Sequence, residues 1–237
     1  MVHQALKTFM EDEFKPVVLT HVGDFIDTTA TAGPVYSFTS PAGDPASDRR
    51  LIIALASGNI SDVDDVSSID FSGNAASVIV QQSPVVSNQY SGIWWVDYPT
   101  GADVGVTINF GNPRHGCFAS IFALYNAATA AFDATVKESG AVGNEISDVI
   151  DISRGGAVVG ASMMLSNVAG NAVWSEMTRT VDGRANDNSS FDYHGSFGAA
   201  MFADEQAALA IGCTSPGLYS GAAQICLASF LPASLEA

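Results

Sequence analysis

Five short segments of the chain are apolar on both faces, and they constrain the fold more than any other feature. Each is bounded by Gly, Pro, Asp or Ser, and most are rich in β-branched or aromatic residues. Such a run is either a buried helix or a strand covered on both sides, and short length with flanking turn residues favours strands. We therefore predict central strands at 51–56 (LIIALA), 93–96 (IWWV), 117–125 (CFASIFALY), 157–165 (AVVGASMML) and 225–231 (ICLASFL).

Other segments alternate and predict strands with one buried face. Residues 103–110 place four apolar side chains on one side and small or polar ones on the other, and 67–71 alternate likewise. Alanine-rich stretches at 127–132 and 199–210 are also compatible with a helical turn. Turn signals recur throughout, at 41–45, 72–74, 99–101, 111–113, 154–156, 182–183 and 215–217.

This spacing predicts an all-β fold, an antiparallel β-sandwich that is jelly-roll-like, over residues 23–237. Residues 1–22 differ in pattern from the strand-like remainder of the chain and are expected to form an N-terminal arm or a short helix. The start of the chain carries three acidic residues at 11–13 and lacks the apolar core of a signal peptide. The long uncharged stretch 206–235 is broken by prolines and glycines, so we expect no membrane insertion.

The charge balance excludes two classes of partner. The chain of 237 residues has 25 acidic and 9 basic residues, a formal net charge of −16. A phosphate backbone or an anionic membrane would be repelled, so we expect no nucleic-acid partner. Hydrophobic residues make up 47% and charged residues only 14%, which suits surfaces buried between subunits.

The three cysteines, Cys117, Cys213 and Cys226, lack the spacing of a metal site. A disulfide between Cys213 and Cys226 is one alternative, and buried free thiols are the simpler one. No GxSxG motif, glycine-rich phosphate loop or recognisable pair of catalytic carboxylates is present. A triad that uses His115 or His194 stays open, since triads assemble in space, but we predict that the protein is not an enzyme.

Two acidic segments offer oxygen ligands suited to calcium. Asp62, Asp64 and Asp65 form the first. In the second, Asp182, Asn186, Asp187 and Asp192 are the candidate metal ligands. Neither matches the twelve-residue calcium loop, and solvated connections with Asx turns are the favoured alternative, so no cofactor is required.

A cluster of aromatic residues suggests a surface for sugars, because aromatic faces stack on the apolar faces of pyranose rings. The candidates are Tyr90, Trp94, Tyr98 and, beside the second acidic segment, Tyr193. On an alternating strand one of Trp94 and Trp95 must face the core. Core packing is therefore the favoured alternative for most of these side chains.

The order of several motifs resembles a family of β-sandwich virion proteins of tailed bacteriophages, which includes tail, fibre and capsid-decoration components. The motifs span roughly residues 45–200, and Asp70 and Ser72 depart from the Thr and Gly usual in the hairpin. They are 48–54 (DRRLIIA), 67–76 (SSIDFSGNAA), 93–94 (IW), 99–101 (PTG), 106–110 (VTINF), 121–125 (IFALY), 155–160 (GGAVVG) and 174–179 (WSEMTR).

The resemblance implies a structural or accessory role on the surface of a virion assembled in the host cytoplasm, with other virion proteins as partners. It supplies no catalytic residues. We also expect a homo-oligomer. The alternative hypothesis is a host-attachment module that binds a surface glycan, with calcium assisting at the second acidic segment.

Overall fold

The computed structural model describes residues 14–28, 33–58, 66–82, 89–114, 116–140, 142–166, 170–186 and 192–235, with the backbone alone at 185–186 and 219–222. Within them the one helical element is a 3-10 turn at Ala233–Leu235, and no helix is long and apolar enough to cross a membrane. The strands are β1 (Val18–Asp27), β2 (Val35–Pro41), β3 (Arg50–Gly58), β4 (Val66–Phe71), β5 (Asn74–Ala75), β6 (Ser77–Gln82), β7 (Gln89–Asp97), β8 (Asp103–Phe110), β9 (Cys117–Tyr125), β10 (Asp133–Ser139), β11 (Gly143–Ile152), β12 (Ala157–Ser166), β13 (Val173–Trp174), β14 (Thr178–Asn186), β15 (Asp192–Met201) and β16 (Gln206–Phe230).

The strands within the described residues form three hydrogen-bonded sheets. The middle sheet has the order β1-β9-β3-β7-β6, and the small sheet has the order β2-β8-β4-β5. The large sheet has the order β10-β16-β12-β15-β14, with β11 and β13 also paired to β16. Neighbouring strands pair antiparallel, as in β3 with β7 and β9. The predicted all-β antiparallel sandwich is confirmed.

The middle sheet is covered on both faces, which explains its continuous apolar strands. On β3, Leu51, Ile53 and Leu55 pack with residues of the small sheet. The alternate residues Ile52 and Ala54 pack with residues of the large sheet. Side chains of a strand point alternately to its two faces, so a strand with two covered faces must be apolar at every position. The predicted central strands β3 and β9 are confirmed.

The large sheet adds a further layer, because β16 turns back across it. The first part of β16 pairs with β11 and its last part pairs with β12 and β10. Ile211 of the first part and Ile225 and Leu227 of the last part belong to one hydrophobic cluster. The two parts of the strand therefore contribute to facing layers. The predicted turn at 215–217 lies within β16 and not between two separate strands.

A predicted turn at Asp182 and Gly183 is wrong, since both residues lie inside β14. The glycine is required there for packing and not for a turn. A Cβ atom on Gly183 would overlap the ring of Phe118, and a Cβ on Gly195 of β15 would lie 2.7 Å from the same ring. The two glycines thus make room for one core phenylalanine of the middle sheet.

The start of the described chain belongs to the middle sheet. β1 pairs with β9 from Val18 to Asp27, so the expected boundary between residues 22 and 23 falls inside this strand. Val17 is buried in the core. The remainder of the expected arm, residues 1–13, lies outside the described residues.

The two alanine-rich stretches do not form helical turns. Residues 127–132 run irregularly, with a single bridge between Ala127 and Pro232, and 199–210 lie mostly in β15 and β16.

Cys117, Cys213 and Cys226 are free and buried. Burial raises the pKa of Cys213 and of Cys226 to about 12, so these thiols stay protonated and unreactive.

Candidate functional site

An open groove lies where β3 begins and β7 ends. Arg50 and Asp97 face each other across these two strands. Arg50 Nε donates a hydrogen bond of 2.8 Å to Asp97 Oδ1, and Nη1 donates one of 3.1 Å to the carbonyl of Ala127 and another to that of Ala128. The guanidinium carbon of Arg50 lies 5.1 Å from the centre of the Trp95 ring. The arginine is therefore held in one position by a carboxylate, two carbonyls and an indole.

The groove has a cavity of about 540 Å³ with a mixed lining. Trp95 also borders a second depression of about 360 Å³, so one half-buried indole lies between two adjoining cavities. The Asp97 side chain is 81% exposed, whereas that of Arg50 is only 12% exposed. The first cavity is lined by Arg50, Gly73, Asn74, Ala75, Ser77, Trp95, Val96, Asp97 and Thr129.

Three of the four aromatic residues predicted to face a sugar are core residues. Tyr90 and Trp94 pack between the middle and small sheets, where Trp94 Nε1 donates to Tyr90 Oη at 2.8 Å. Tyr193 packs between the middle and large sheets. A sugar ring cannot stack on an aromatic face that the core already covers. The prediction that Tyr90, Trp94 and Tyr193 face a sugar is therefore corrected: they are core residues. Tyr98 alone is partly exposed, and the guanidinium of Arg49 lies over its ring at 5.4 Å.

Nothing in the sequence points to Arg50 as a site residue, and sequence analysis selects Trp94 as the candidate where the structure leaves Trp95 partly exposed. The alternation of β7 requires that Trp94 and Trp95 point to opposite faces. The sequence contains this signal, but it does not show which of the two faces is open at that end of the strand.

The residues predicted to bind calcium are engaged in other contacts where the structure describes them. Asp182 Oδ2 accepts hydrogen bonds from Arg179 Nη1 at 3.0 Å and from the backbone N–H of Ala172 at 2.9 Å. Asp192 forms an ion pair with Arg184. The side chain of Asn186, all of Asp187 and the first acidic segment lie outside the described residues. Among the described residues no group of three or more His, Cys, Asp or Glu could hold a metal ion, and the calcium site stays a prediction.

Asp182 belongs to a largely buried polar cluster of the large sheet, here called the β14–β15 cluster (Trp174, Arg179, Asp182, His194 and Ser196), in which only Arg179 is substantially exposed. His194 is fully buried, and its Nε2 lies 3.9 Å from Asp182 Oδ2. Burial lowers the pKa of His194, and the Asp182 carboxylate opposes this only in part. The imidazole is therefore neutral near pH 7.

Trp174 closes the β14–β15 cluster. Its Nε1 donates a hydrogen bond of 2.9 Å to the buried Ser196 Oγ. Its ring packs on Gly160 and Gly198, where a Cβ atom would lie 2.9 and 3.1 Å from ring atoms. His194 beside Asp182 has the composition of a base and its orienting carboxylate, but solvent does not reach it. The cluster suits a structural role better than catalysis.

A second histidine lies at the surface, on β1. His21 Nε2 lies 2.8 Å from Asp24 Oδ1, and the buried Ser120 Oγ donates to the same oxygen at 2.8 Å. The carboxylate lies between the hydroxyl and the imidazole, so His21 does not take a proton directly from Ser120 as the base of a triad does. The hydrogen bond to Asp24 raises the pKa of His21. His115, the other histidine considered for a triad, lies outside the described residues.

Comparison of the chain with protein-family models, with curated proteins and with solved structures finds no match in any of the three.

Proposed function

We propose that the protein is a structural component of a bacteriophage particle, a capsid-decoration or tail or fibre protein that acts by assembly and not by catalysis. The motif order described above supports this. The segments that carry it lie on strands β3, β4, β5, β7, β8, β9, β12, β13 and β14 and on the turns between them. Such a component would be located in the virion, with other virion proteins as partners.

The observation that carries the proposal is an uncharged strand at an open edge. β6 pairs only with β7 among the strands of the described chain, and its sequence SVIVQQ has no charged residue. Val78 on this strand is 46% exposed, and Phe132, also 46% exposed, lines the same 360 Å³ depression. An edge strand presents unpaired backbone donors and acceptors, and soluble proteins usually protect such an edge with charge or cover. An uncharged, apolar edge is therefore suited to a partner.

The charge of the chain makes this edge the favoured place for contact with a like molecule. Two copies with a net charge of −16 each repel one another at most approaches. β6 itself carries no charge, although Asp133 lines the depression beside it and Glu138 accepts a hydrogen bond from Gln82. A contact through β6 and Phe132 therefore meets less of this repulsion than most approaches do. We therefore propose a homo-oligomer, joined along this edge, within the particle.

The copy number of the protein in purified particles tests the proposal. Quantitative mass spectrometry with the major shell protein as reference is expected to find it at a fixed stoichiometry. Hundreds of copies would indicate capsid decoration or a repeated tail protein, and a handful would indicate a fibre or tip. Complete absence from the particle would refute the proposal.

A pair of surface variants tests the edge itself. Val78→Lys places a charge on β6 and is expected to reduce incorporation into particles, because the ammonium must be desolvated at the contact. Val142→Lys is the matched control, since Val142 is 67% exposed between β10 and β11. Equal incorporation of the two variants would show that β6 is not the contact.

A further inference from the structure

We propose that the groove at Trp95 is a binding site for a neutral saccharide that contains a hexopyranose. The inference goes beyond assembly, because it assigns a small-molecule ligand to a groove in which Ser77 is the only lining residue, among those that the structure describes, that belongs to β6.

The apolar part of the site is the Trp95 ring. The other two tryptophans are nearly inaccessible, with Trp94 7% and Trp174 6% exposed. Trp95 is the one that stays half-buried and borders both cavities. A hexopyranose presents a face of C–H groups, which packs against an aromatic ring as other apolar surfaces do. The guanidinium of Arg50 lies over part of this ring. The groove therefore offers a sugar the part of the indole that stays exposed, which the buried Tyr90, Trp94 and Tyr193 do not.

The polar part of the site surrounds that ring with both donors and acceptors. Asp97 contributes carboxylate oxygens that are open to solvent, and Ser77 and Thr129 add hydroxyl groups. Asn74 Nδ2 donates a hydrogen bond of 3.0 Å to the carbonyl of Phe71, which holds its amide in place. Sugar hydroxyls both donate and accept, so a mixed lining of this kind matches them.

Arg50 is held in advance of any ligand. Asp97, Ala127 and Ala128 accept hydrogen bonds from its guanidinium, and Trp95 lies beside it. Because this long side chain is already ordered, binding does not have to restrict it, and less conformational entropy is lost.

Charge selects a neutral ligand. The one cation in the groove lining, Arg50, is already paired with the one carboxylate, Asp97. The chain as a whole carries −16, which repels phosphorylated or sulfated ligands. An uncharged sugar meets neither penalty.

Tryptophan fluorescence of the isolated full-length protein tests the proposal. Acrylamide, a neutral quencher, is expected to quench mainly Trp95, because the other two tryptophans are buried. The probes are the methyl glycosides of glucose, galactose, mannose and N-acetylglucosamine, each titrated to tens of millimolar. At least one is expected to protect Trp95 saturably. If none does, the proposal is overturned.

Variants measured by calorimetry locate the binding. Trp95→Ala and Asp97→Ala are each expected to weaken binding of the protecting sugar by about tenfold or more, which corresponds to about 1.4 kcal/mol. Asp97 is exposed, so that variant keeps its fold even if Trp95→Ala does not. Tyr98→Phe, on an aromatic residue outside the groove lining, is expected to bind as the unaltered protein does. Undiminished binding by Asp97→Ala and Trp95→Ala would overturn the site.

These experiments use the isolated chain, whereas the assembly proposal is tested on particles. A failure to bind a saccharide therefore does not refute the assembly proposal, and absence from particles does not refute saccharide binding.

Discussion

The Trp95 groove and the β14–β15 cluster are built from the same residue types, a tryptophan beside an arginine–aspartate pair, yet they have opposite environments. In the groove, the Asp97 side chain is 81% exposed. In the cluster, the Asp182 side chain is 8% exposed and His194 beside it is fully buried. Residue type alone therefore does not identify a binding site. Burial decides whether a polar group is available to a ligand or is committed to the fold.

The physical reason is the cost of removing charge from water. A buried carboxylate must keep its hydrogen-bond donors, since loss of one partner leaves the other desolvated and unpaired. An exposed carboxylate exchanges its partner for water at little cost. The two regions should therefore respond differently to the same substitution.

The largest difference is expected between Asp182→Ala and Asp97→Ala. Asp182→Ala leaves the Ala172 N–H without its acceptor, whereas the partly exposed Arg179 keeps its hydrogen bond to the Ala172 carbonyl. The substitution is expected to lower the free energy of unfolding by about 1–3 kcal/mol. Asp97→Ala is expected to change it by less than about 0.5 kcal/mol, because that pair is screened by solvent. Urea unfolding of the two variants measures the contrast, and equal values would show that burial does not separate the two regions.

The two tryptophans provide a second, smaller contrast. Trp174→Phe removes the donor to the buried Ser196 Oγ and is expected to cost about 1–2 kcal/mol of unfolding free energy. Trp95→Phe is expected to cost less than about 1 kcal/mol, since its indole is partly in solvent. Thermal unfolding compares the two. A costlier Trp95→Phe would contradict the assignment of Trp95 to an open groove.

Acid is expected to act on the β14–β15 cluster through His194. In the folded protein the pKa of His194 is lowered, whereas the unfolded chain binds a proton near the ordinary value of 6.5. The unfolded state therefore binds more protons below this value, and stability falls as pH falls. Between about pH 7.5 and 5.5 we expect a loss of about 1 kcal/mol. His194→Gln should flatten this dependence, and an unchanged slope would contradict the neutral, buried histidine.

The surface histidine should show the opposite sign and the smallest effect. The pKa of His21 is raised by its hydrogen bond to Asp24, so the protonated form stabilises the folded state. This contribution is full below the unfolded pKa of about 6.5 and is lost as pH rises through the folded pKa. Because the pair is partly exposed, we expect less than about 0.5 kcal/mol. Urea unfolding of His21→Gln near pH 6 measures this contribution. A variant more stable than the unaltered protein would contradict a stabilising role for protonated His21.

Much of the fold was predictable because strand patterns are local. The doubly apolar runs predicted β3, β9 and β12 as central strands, and the alternation at 103–110 predicted β8 with one buried face. The turn at Asp182 and Gly183 failed, because glycine next to aspartate is typical of turns while this glycine is needed for contact with Phe118, a residue distant in sequence. The prediction that Tyr90, Trp94 and Tyr193 face a sugar failed for a similar reason, since the exposure of a side chain depends on what packs above its strand.

The sequence by itself determined the strand character, the acidic surface and the opposite orientations of Trp94 and Trp95, since all three follow from composition and the two-residue period of a strand. Only the tertiary structure decided which tryptophan is covered and which aspartate is sealed. Those outcomes depend on how the middle sheet stacks between the small and large sheets and on where each stack ends. Such contacts join residues far apart in the chain, and no local pattern encodes them.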